Sequence, residues 1–406
     1  MGEIDGGAER LVVECIRASG TSGEELTASL EGPREIDWDN VLDITSAHGV
    51  TTLVSKTLHR HRSDAVPDGI LEELQARSQF FARRNLRMMQ EVAALSAAFD
   101  RHDIRAIPYR GPVVADVAYG SVGHREFGDL DFLVLRDDLP AAKSVLLERG
   151  YEPRYTLETT AGLTNTQEWA YVQFARDYPF DHESDPFEVE LHWRIVSQHF
   201  PTGIDLETVW ERRSSLSIAG TEVPVLSHED RLLMCCVHGT RHRWERLQWL
   251  CDVARYVESH SFDWDVILER AKDHHCERML LLGLAVTRDV LDTPLPDVVQ
   301  QPIDADPTIE PLVTHVRDRL FDDTDYWRFD LKRYQSRTLE RYRDKGKFWL
   351  YWALKPDRGD IERVSLPKPL VPLYVGVRCL RLMAGAANRL STGGRTAYRR
   401  REVKSK

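Results

Sequence analysis

The chain has 406 residues, enough for two or three domains. Its 42% apolar and 29% charged residues describe a folded chain with a sizeable core and exclude a disordered polymer. A net charge of −11 argues against long nucleic acid as a partner, which needs a basic surface, and leaves only something as short as a tRNA end open.

Residues 1–100 read as a helical N-terminal region. The stretch "FFARRNLRMMQEVAALSAAF" puts Phe81, Met88, Val92, Leu95 and Phe99 on one face at helical spacing. The texture changes after residue 103. "DIRAIPY" reads as a strand ending at Gly111, and "PVVADVAY" as a helix with Pro112 at its first position. "LDFLVL" is predicted to be a strand and "DDLPAAKSVLLERGY" a helix closed by Gly150. "WAYVQF" and "FEVELHWRI" read as strands from their β-branched and aromatic content. The predicted order is β-α-β-α-β-β, an α+β core over residues 101–205.

Residues 206–300 return to helical patterns, beginning with a Ser227 cap and Asp230 in the place of a capping-box acid. In the C-terminal extension, 301–406, "PIDADPTIEP" reads as a linker. "LPKPLVPLYVGVRCLRLMAGAANRL" reads as an apolar stretch running into a basic amphipathic one, and "RRREVKSK" as a frayed tail. None of the six cysteines forms a CxxC pair, so reduced thiols are expected. The acidic N-terminus lacks the apolar segment of a signal peptide, and no run of about 18 apolar residues occurs. A cytoplasmic location is the expectation.

Three features carry chemistry. Asp129 and Asp131 lie two apart on a predicted strand, so both face the same way, with Cα atoms about 6–7 Å apart, while Leu130 and Phe132 face the core. Two carboxylates this close repel unless a cation is shared, and Mg²⁺ (or Mn²⁺) with phosphate completes such a site. A solvated strand edge gives the same pattern. A second acidic strand, with Glu188, Glu190 and His192 on one face, adds the third carboxylate of a two-metal phosphoryl-transfer cluster if it pairs beside the first. Its alternative is an edge strand with charges turned outward.

Upstream, Gly111 ends a strand and opens a helix, a geometry suited to phosphate. Arg110 and Arg125 could hold a triphosphate, and Gly120-Ser121 competes with Gly111 for the phosphate-binding turn. His238 and His242 share a helical face. With Cys235, Cys251 or "HHC" at 274–276 they could form a zinc site. Cleft lining, or burial in the core, is the plainer reading. Arg246 and Asp252 are further cleft candidates, with Asp252 expected to pair with Arg246 or Arg255.

This order resembles the nucleotidyltransferase superfamily that includes DNA polymerase β. More narrowly it resembles an uncharacterised nucleotidyltransferase family. The resemblance rests on Arg110-Gly111, Arg125, Asp129-Leu130-Asp131, Glu190-Leu191-His192-Trp193, and the His238–His242 helix leading to Trp244, Leu247 and Asp252. Arginine stands at 110 where that family usually has lysine. The resemblance implies a polymerase β-type core, a mixed sheet with flanking helices, embedded in helical N- and C-terminal regions. It implies Asp129, Asp131 and Glu190 as metal ligands and catalytic carboxylates, with Arg110, Gly111, Arg125 and His192 at the nucleotide. The expected reaction moves a nucleoside monophosphate from an NTP to an acceptor hydroxyl of a small molecule, peptide or protein. The other two readings are a nucleotide binder without turnover and an accessory protein that touches a membrane surface or biosynthetic partner through Arg378, Arg381, Arg389 and Arg395.

Overall fold

The computed structural model describes residues 6–392, apart from 20–22, 31, 33–35, 62–63, 155–162, 198–199 and 323–327. The predicted tail "RRREVKSK" lies outside the described residues.

The N-terminal region forms α1 (Gly7–Ala18), α2 (Glu24–Leu30), α3 (Trp38–His48), α4 (Thr51–Arg60) and the long α5 (Asp68–Arg101). Met88, Val92, Leu95 and Phe99 of α5 are buried, as their spacing predicts. The α/β segment then follows: β1 (Ala106–Pro108), α6 (Pro112–Tyr119), β2 (Asp129–Val134), α7 (Leu139–Glu148), β3 (Tyr151–Pro153), α8 (Asn165–Phe174), β4 (Asp177–His182) and β5 (Asp185–His192). The sheet order is β1-β2-β5-β4-β3, with β2 and β5 parallel and the other neighbouring pairs antiparallel. The predicted α+β class with a mixed sheet is what forms.

"WAYVQF" is a helix, not a strand. Thr164 and Gln167 make a reciprocal capping box that starts α8, and tertiary packing of Ala170 and Tyr171 overrides strand propensity. The strand beside β5 is instead "DYPFDH", whose acids and proline disguise it.

Beyond the sheet lie α9 (Leu206–Glu211) and a hairpin of β6 (Ser214–Ile218) and β7 (Thr221–Val225), where helix alone was expected. Its two-residue turn has Ala219 and Gly220 both at positive φ (49° and 80°), the twist a tight hairpin requires. The helices α10 (His228–Arg241), α11 (Leu247–Ser259), α12 (Trp264–Asp273) and α13 (Glu277–Leu291) follow, and the Ser227 hydroxyl caps α10 by accepting from Asp230 N at 3.2 Å.

The predicted linker over 302–311 is shorter than expected: a break at 306–308 separates α14 (Asp297–Ala305) from α15 (Ile309–Arg317), and the rest of the stretch is helical. Val299, Ile303, Ile309, Leu312, Val313 and Val316 are buried at helical spacing, and this outweighs the prolines. The chain continues through α16 (Arg328–Arg337), α17 (Tyr342–Leu354), α18 (Arg358–Arg363) and α19 (Tyr374–Thr392).

Two cores result. Apolar side chains from residues 8–74 and 226–348 share one, together with Ile107 and Leu133 from one face of the sheet. The other face, with Leu130, Phe132 and Val134, packs on α5, α7, the hairpin and Ile361, Val371 and Tyr374. The alternation of β2 therefore aims its two aspartates toward the helical side.

One edge of that boundary is locked by charge. Arg125 grips Asp252 on α11 with both ends of its guanidinium (2.7 and 2.8 Å), and Tyr119 donates to the same carboxylate at 2.8 Å. Asp252, expected to pair with Arg246 or Arg255, is held by the buried fork of Arg125, and Arg255 pairs with Glu258. Gln248 donates to Glu126 O at 2.6 Å, and Thr52 N donates to the Glu126 carboxylate at 3.2 Å.

No helix among the described residues is long and apolar enough to cross a membrane. Arg378 and Arg381, for which a membrane surface was the alternative to packing within the chain, pair with Asp357 and Asp360. The side chain of Arg389 and the whole of Arg395 lie outside the described residues. All six cysteines are free.

Two stability predictions follow from this packing. Phe132 is fully buried against Phe99, with ring centroids 5.3 Å apart, so Phe132→Ala is expected to cost about 3–5 kcal/mol in urea unfolding. Asp252→Ala strands a buried guanidinium and is expected to cost about 3–5 kcal/mol, whereas Arg125→Met with Asp252→Leu is expected to restore most of it in the same measurement.

Candidate active site

Parallel pairing fixes the site. Asp129 stands in register with Glu188, Asp131 with Glu190, and Leu133 with His192. Residues in register across neighbouring strands share a face, so two central strands present four carboxylates side by side. The sequence suggested that Glu190 completes a cluster if its strand lies beside the first, and β5 does lie there. Glu188, which sequence reasoning left out of the site, stands beside Asp129.

Like charges this close need cations. Asp131 is buried and held from two sides: by Arg110 Nη2 at 2.7 Å and by His192 Nε2, which donates at 2.7 Å. The same His192 nitrogen lies 3.0 Å from Glu190 Oε2. Burial opposes a charge on His192, but the two carboxylates win and raise it to about 9, so the ring is an imidazolium. Burial works against the charge on Asp131 as well, yet Arg110 and His192 hold it below the ordinary carboxylate range. Asp129 is raised to about 6, by burial first and then by Asp131. Glu188 is pushed up to about 8 by burial and by Glu190, against the pull of its partner Arg154.

Asp131, Glu190 and His192 offer ligand atoms within 4.8 Å of one another. Two carboxylates and, once the His192 ring gives up a proton, an imidazole form a donor set that fits a small divalent cation, Mn²⁺ tolerating the nitrogen better than Mg²⁺. Buried His192 Nδ1 has no hydrogen-bond partner, and Asp177 Oδ2 lies 3.9 Å from it. Asp129, expected among the ligands, is one register pair away from this group.

The Gly111 turn sits against the carboxylate strand. Gly111 has φ +50°, and a Cβ there would come 3.2 Å from the Asp129 carbonyl, so only glycine lets the turn approach. Pro112 occupies the first position of α6, as predicted. Gly120 closes the far end of the same helix with φ +62°, and Ser121 caps the short turn after it.

Arg125 is turned into the Asp252 pair and does not present its fork to the carboxylates. Arg110 bridges the two halves, with Nη2 on Asp131 and Nη1 donating to the His238 ring at 2.6 Å. His238, His242 and Trp249 form an aromatic trio with centroids 4.7–5.4 Å apart. Arg246 lies over the Trp249 ring at 6.0 Å. Among the described residues no cysteine joins the two histidines in a metal-binding group, so the zinc alternative does not form. Two arginines escaped sequence reasoning. Arg241 follows three residues after His238 on α10, and Arg176 adjoins Asp177 at the start of β4. A cavity of about 390 Å³ opens at the far ends of β2 and β5, lined by Leu135, Arg136, Trp193, Arg194, Ile195 and Phe200 among others.

The profile of a family described as an uncharacterised nucleotidyltransferase matches residues 34–292. A solved structure, an antigenic nucleotidyltransferase-like protein from Paracoccidioides brasiliensis, is similar at 14% identity with a TM-score of 0.33, over 56% of this chain and 91% of its own. No curated protein matches the chain. The matched span takes in well over half of the chain and every residue of the carboxylate group, and the chain belongs to this uncharacterised nucleotidyltransferase family.

Proposed function

We propose that the protein transfers a nucleoside monophosphate from an NTP to an acceptor hydroxyl. The observation that carries this reading is the register of β2 and β5, which sets Asp131 beside Glu190 and Asp129 beside Glu188 on one face. The acceptor oxygen attacks the α-phosphorus, the bond to the α–β bridging oxygen breaks, and pyrophosphate leaves. Residues 101–205 carry this chemistry, and the helical domain over 206–300 closes the cleft.

Asp131 and Glu190, with Asp129, are the ligands of a divalent cation, Mg²⁺ or Mn²⁺, which when bound neutralises phosphate charge and makes the acceptor hydroxyl more acidic. Glu190 orients the acceptor and takes up its proton. The free N–H groups after the Gly111 turn and the Arg110 guanidinium face the phosphates. Arg125 acts through Asp252 and Asn85 by fixing the loop that leads into β2; Asn85 Nδ2 donates to Arg125 O at 2.7 Å. Catalysis of this kind is positioning and charge neutralisation.

Nucleotide binding without turnover is the second reading. The Arg110–Asp131 pair favours it, since a guanidinium occupies a carboxylate that the reaction needs.

Both readings meet one experiment. The full-length protein is titrated with each NTP and Mg²⁺ or Mn²⁺ by calorimetry. Transfer of α-³²P label into a cell extract, with pyrophosphate release, is measured alongside. Wild type is expected to bind and transfer. Asp131→Asn is expected to lose transfer by about a hundredfold or more. Metal-dependent binding without pyrophosphate release selects the second reading, and an Asp131→Asn variant as active as wild type sinks the first.

A further inference from the structure

The chain reverses the usual layout of a helix at α19. Two arginines turn inward and the leucines turn outward. Arg378 is 7% exposed, with Nη1 2.5 Å from Asp357 Oδ2, and Arg381 Nε lies 2.5 Å from Asp360 Oδ1. Leu373, directly before the helix, is 57% exposed, and Leu380 and Met383 are 64% and 60% exposed. With Gly376, also exposed, they recur at spacings of three and four, so they form one stripe along the helix.

Water does not favour this layout. A helix packed for water buries leucine and exposes arginine, because apolar burial is the main favourable term and a buried ion pair adds little. A lone exposed leucine is ordinary, but a continuous stripe marks a surface that meets another apolar body. The pairs with Asp357 and Asp360, at the start of α18, hold the helix with that stripe outward. The surroundings repeat the pattern. The turn over Lys368–Leu373 leaves Leu370 exposed, and Lys368 lies over the exposed Trp169 ring at 5.8 Å. α17 packs against α19 and leaves Leu350, Tyr351 and Leu354 exposed.

Charge identifies the partner. Residues 363–406 hold eleven Lys and Arg and a single Glu, in a chain whose net charge is −11. Six of the eleven follow Thr392, where α19 ends, and Arg399, Arg400 and Arg401 are consecutive. An apolar helical face followed by a cluster of cations suits an anionic lipid surface, where leucine enters the acyl boundary and the cations meet the headgroups. Trp and Lys side by side suit the same boundary. A second copy joined through α19 would set two cationic segments together, and a nucleic acid offers leucine nothing.

We propose that the stripe of Leu373, Leu380 and Met383, with the cations that follow it, docks the protein on an anionic lipid bilayer, α19 lying in the plane of the surface. The helix rests on the bilayer and does not cross it. Arg378 and Arg381 stay out of the contact and orient the helix. This docking does not depend on the reaction proposed above.

The probe is a vesicle of mixed phosphatidylserine and phosphatidylcholine, with pure phosphatidylcholine vesicles beside it, in co-sedimentation with the full-length protein. Wild type is expected to bind the mixed vesicles, less in high salt, and the pure ones about tenfold or more weakly. Leu380→Asp with Met383→Asp is expected to weaken binding to the mixed vesicles about tenfold or more. Arg399→Gln, Arg400→Gln and Arg401→Gln together are expected to do the same. Circular dichroism melts confirm that each variant is folded. A wild type that stays in solution beside the mixed vesicles, or a folded Leu380→Asp, Met383→Asp variant that binds as well as wild type, overturns the proposal.

Sedimentation velocity without vesicles separates the other occupant. A dimer that the Leu380→Asp, Met383→Asp variant splits assigns the stripe to a second copy and overturns lipid docking, whereas a monomer supports it. NTP binding is expected to be unchanged in that variant, so failure of lipid docking and failure of the nucleotidyltransferase reading are told apart.

Discussion

The structure is organised around repulsion. Two neighbouring strands in parallel register bring Asp129 against Glu188 and Asp131 against Glu190, and no rearrangement within the sheet can separate them without moving their apolar partners out of the core. Leu130, Phe132, Val189 and Leu191 are buried on the opposite face, so hydrophobic burial holds the acids together against their own charge. The apolar face is what makes the acidic face possible.

Relief comes from cations carried by other parts of the chain. His192 is supplied by β5 itself, Arg110 by the turn before α6, and Arg154 by the residue after β3. Each lies in a different segment, and together they fix the four acids at different points of the protonation scale. Asp131 is held ionised, while Glu188 is pushed toward neutrality. Carboxylates that look equivalent along the chain are thereby given different work.

The carboxylates were legible in the sequence because strand periodicity sets their direction whatever the strand lies beside. The helices with clear apolar spacing and caps, such as α5 and α10, were legible for the same local reason. What failed depended on distant partners. Arg125 looks equally suited to phosphate or carboxylate, and only the fold reveals Asp252, 127 residues away. "DYPFDH" becomes a strand because β5 needs a neighbour, against its own composition. "WAYVQF" was misjudged on aromatic content although the Thr164–Gln167 capping signal preceded it. The prolines of 302–311 suggested a linker, and a break does fall at 306–308, but buried aliphatic residues at helical spacing make helix on both sides of it. Arg176 and Arg241 carried no recognisable signal, since an arginine beside an acid or a histidine is ordinary until its surroundings are known.

The lock of Arg125, Tyr119 and Asp252, reinforced at Glu126 by Gln248 and Thr52, ties the loop before β2 to α11 and α4 at several points. On the carboxylate side Arg110 reaches from Asp131 to His238, and Arg241 of α10 donates to Ile195 O just after β5. The strand that carries Asp129 and Asp131 is thus anchored from outside the sheet as well as within it, and the position of its carboxylates depends on a helix more than a hundred residues further along the chain.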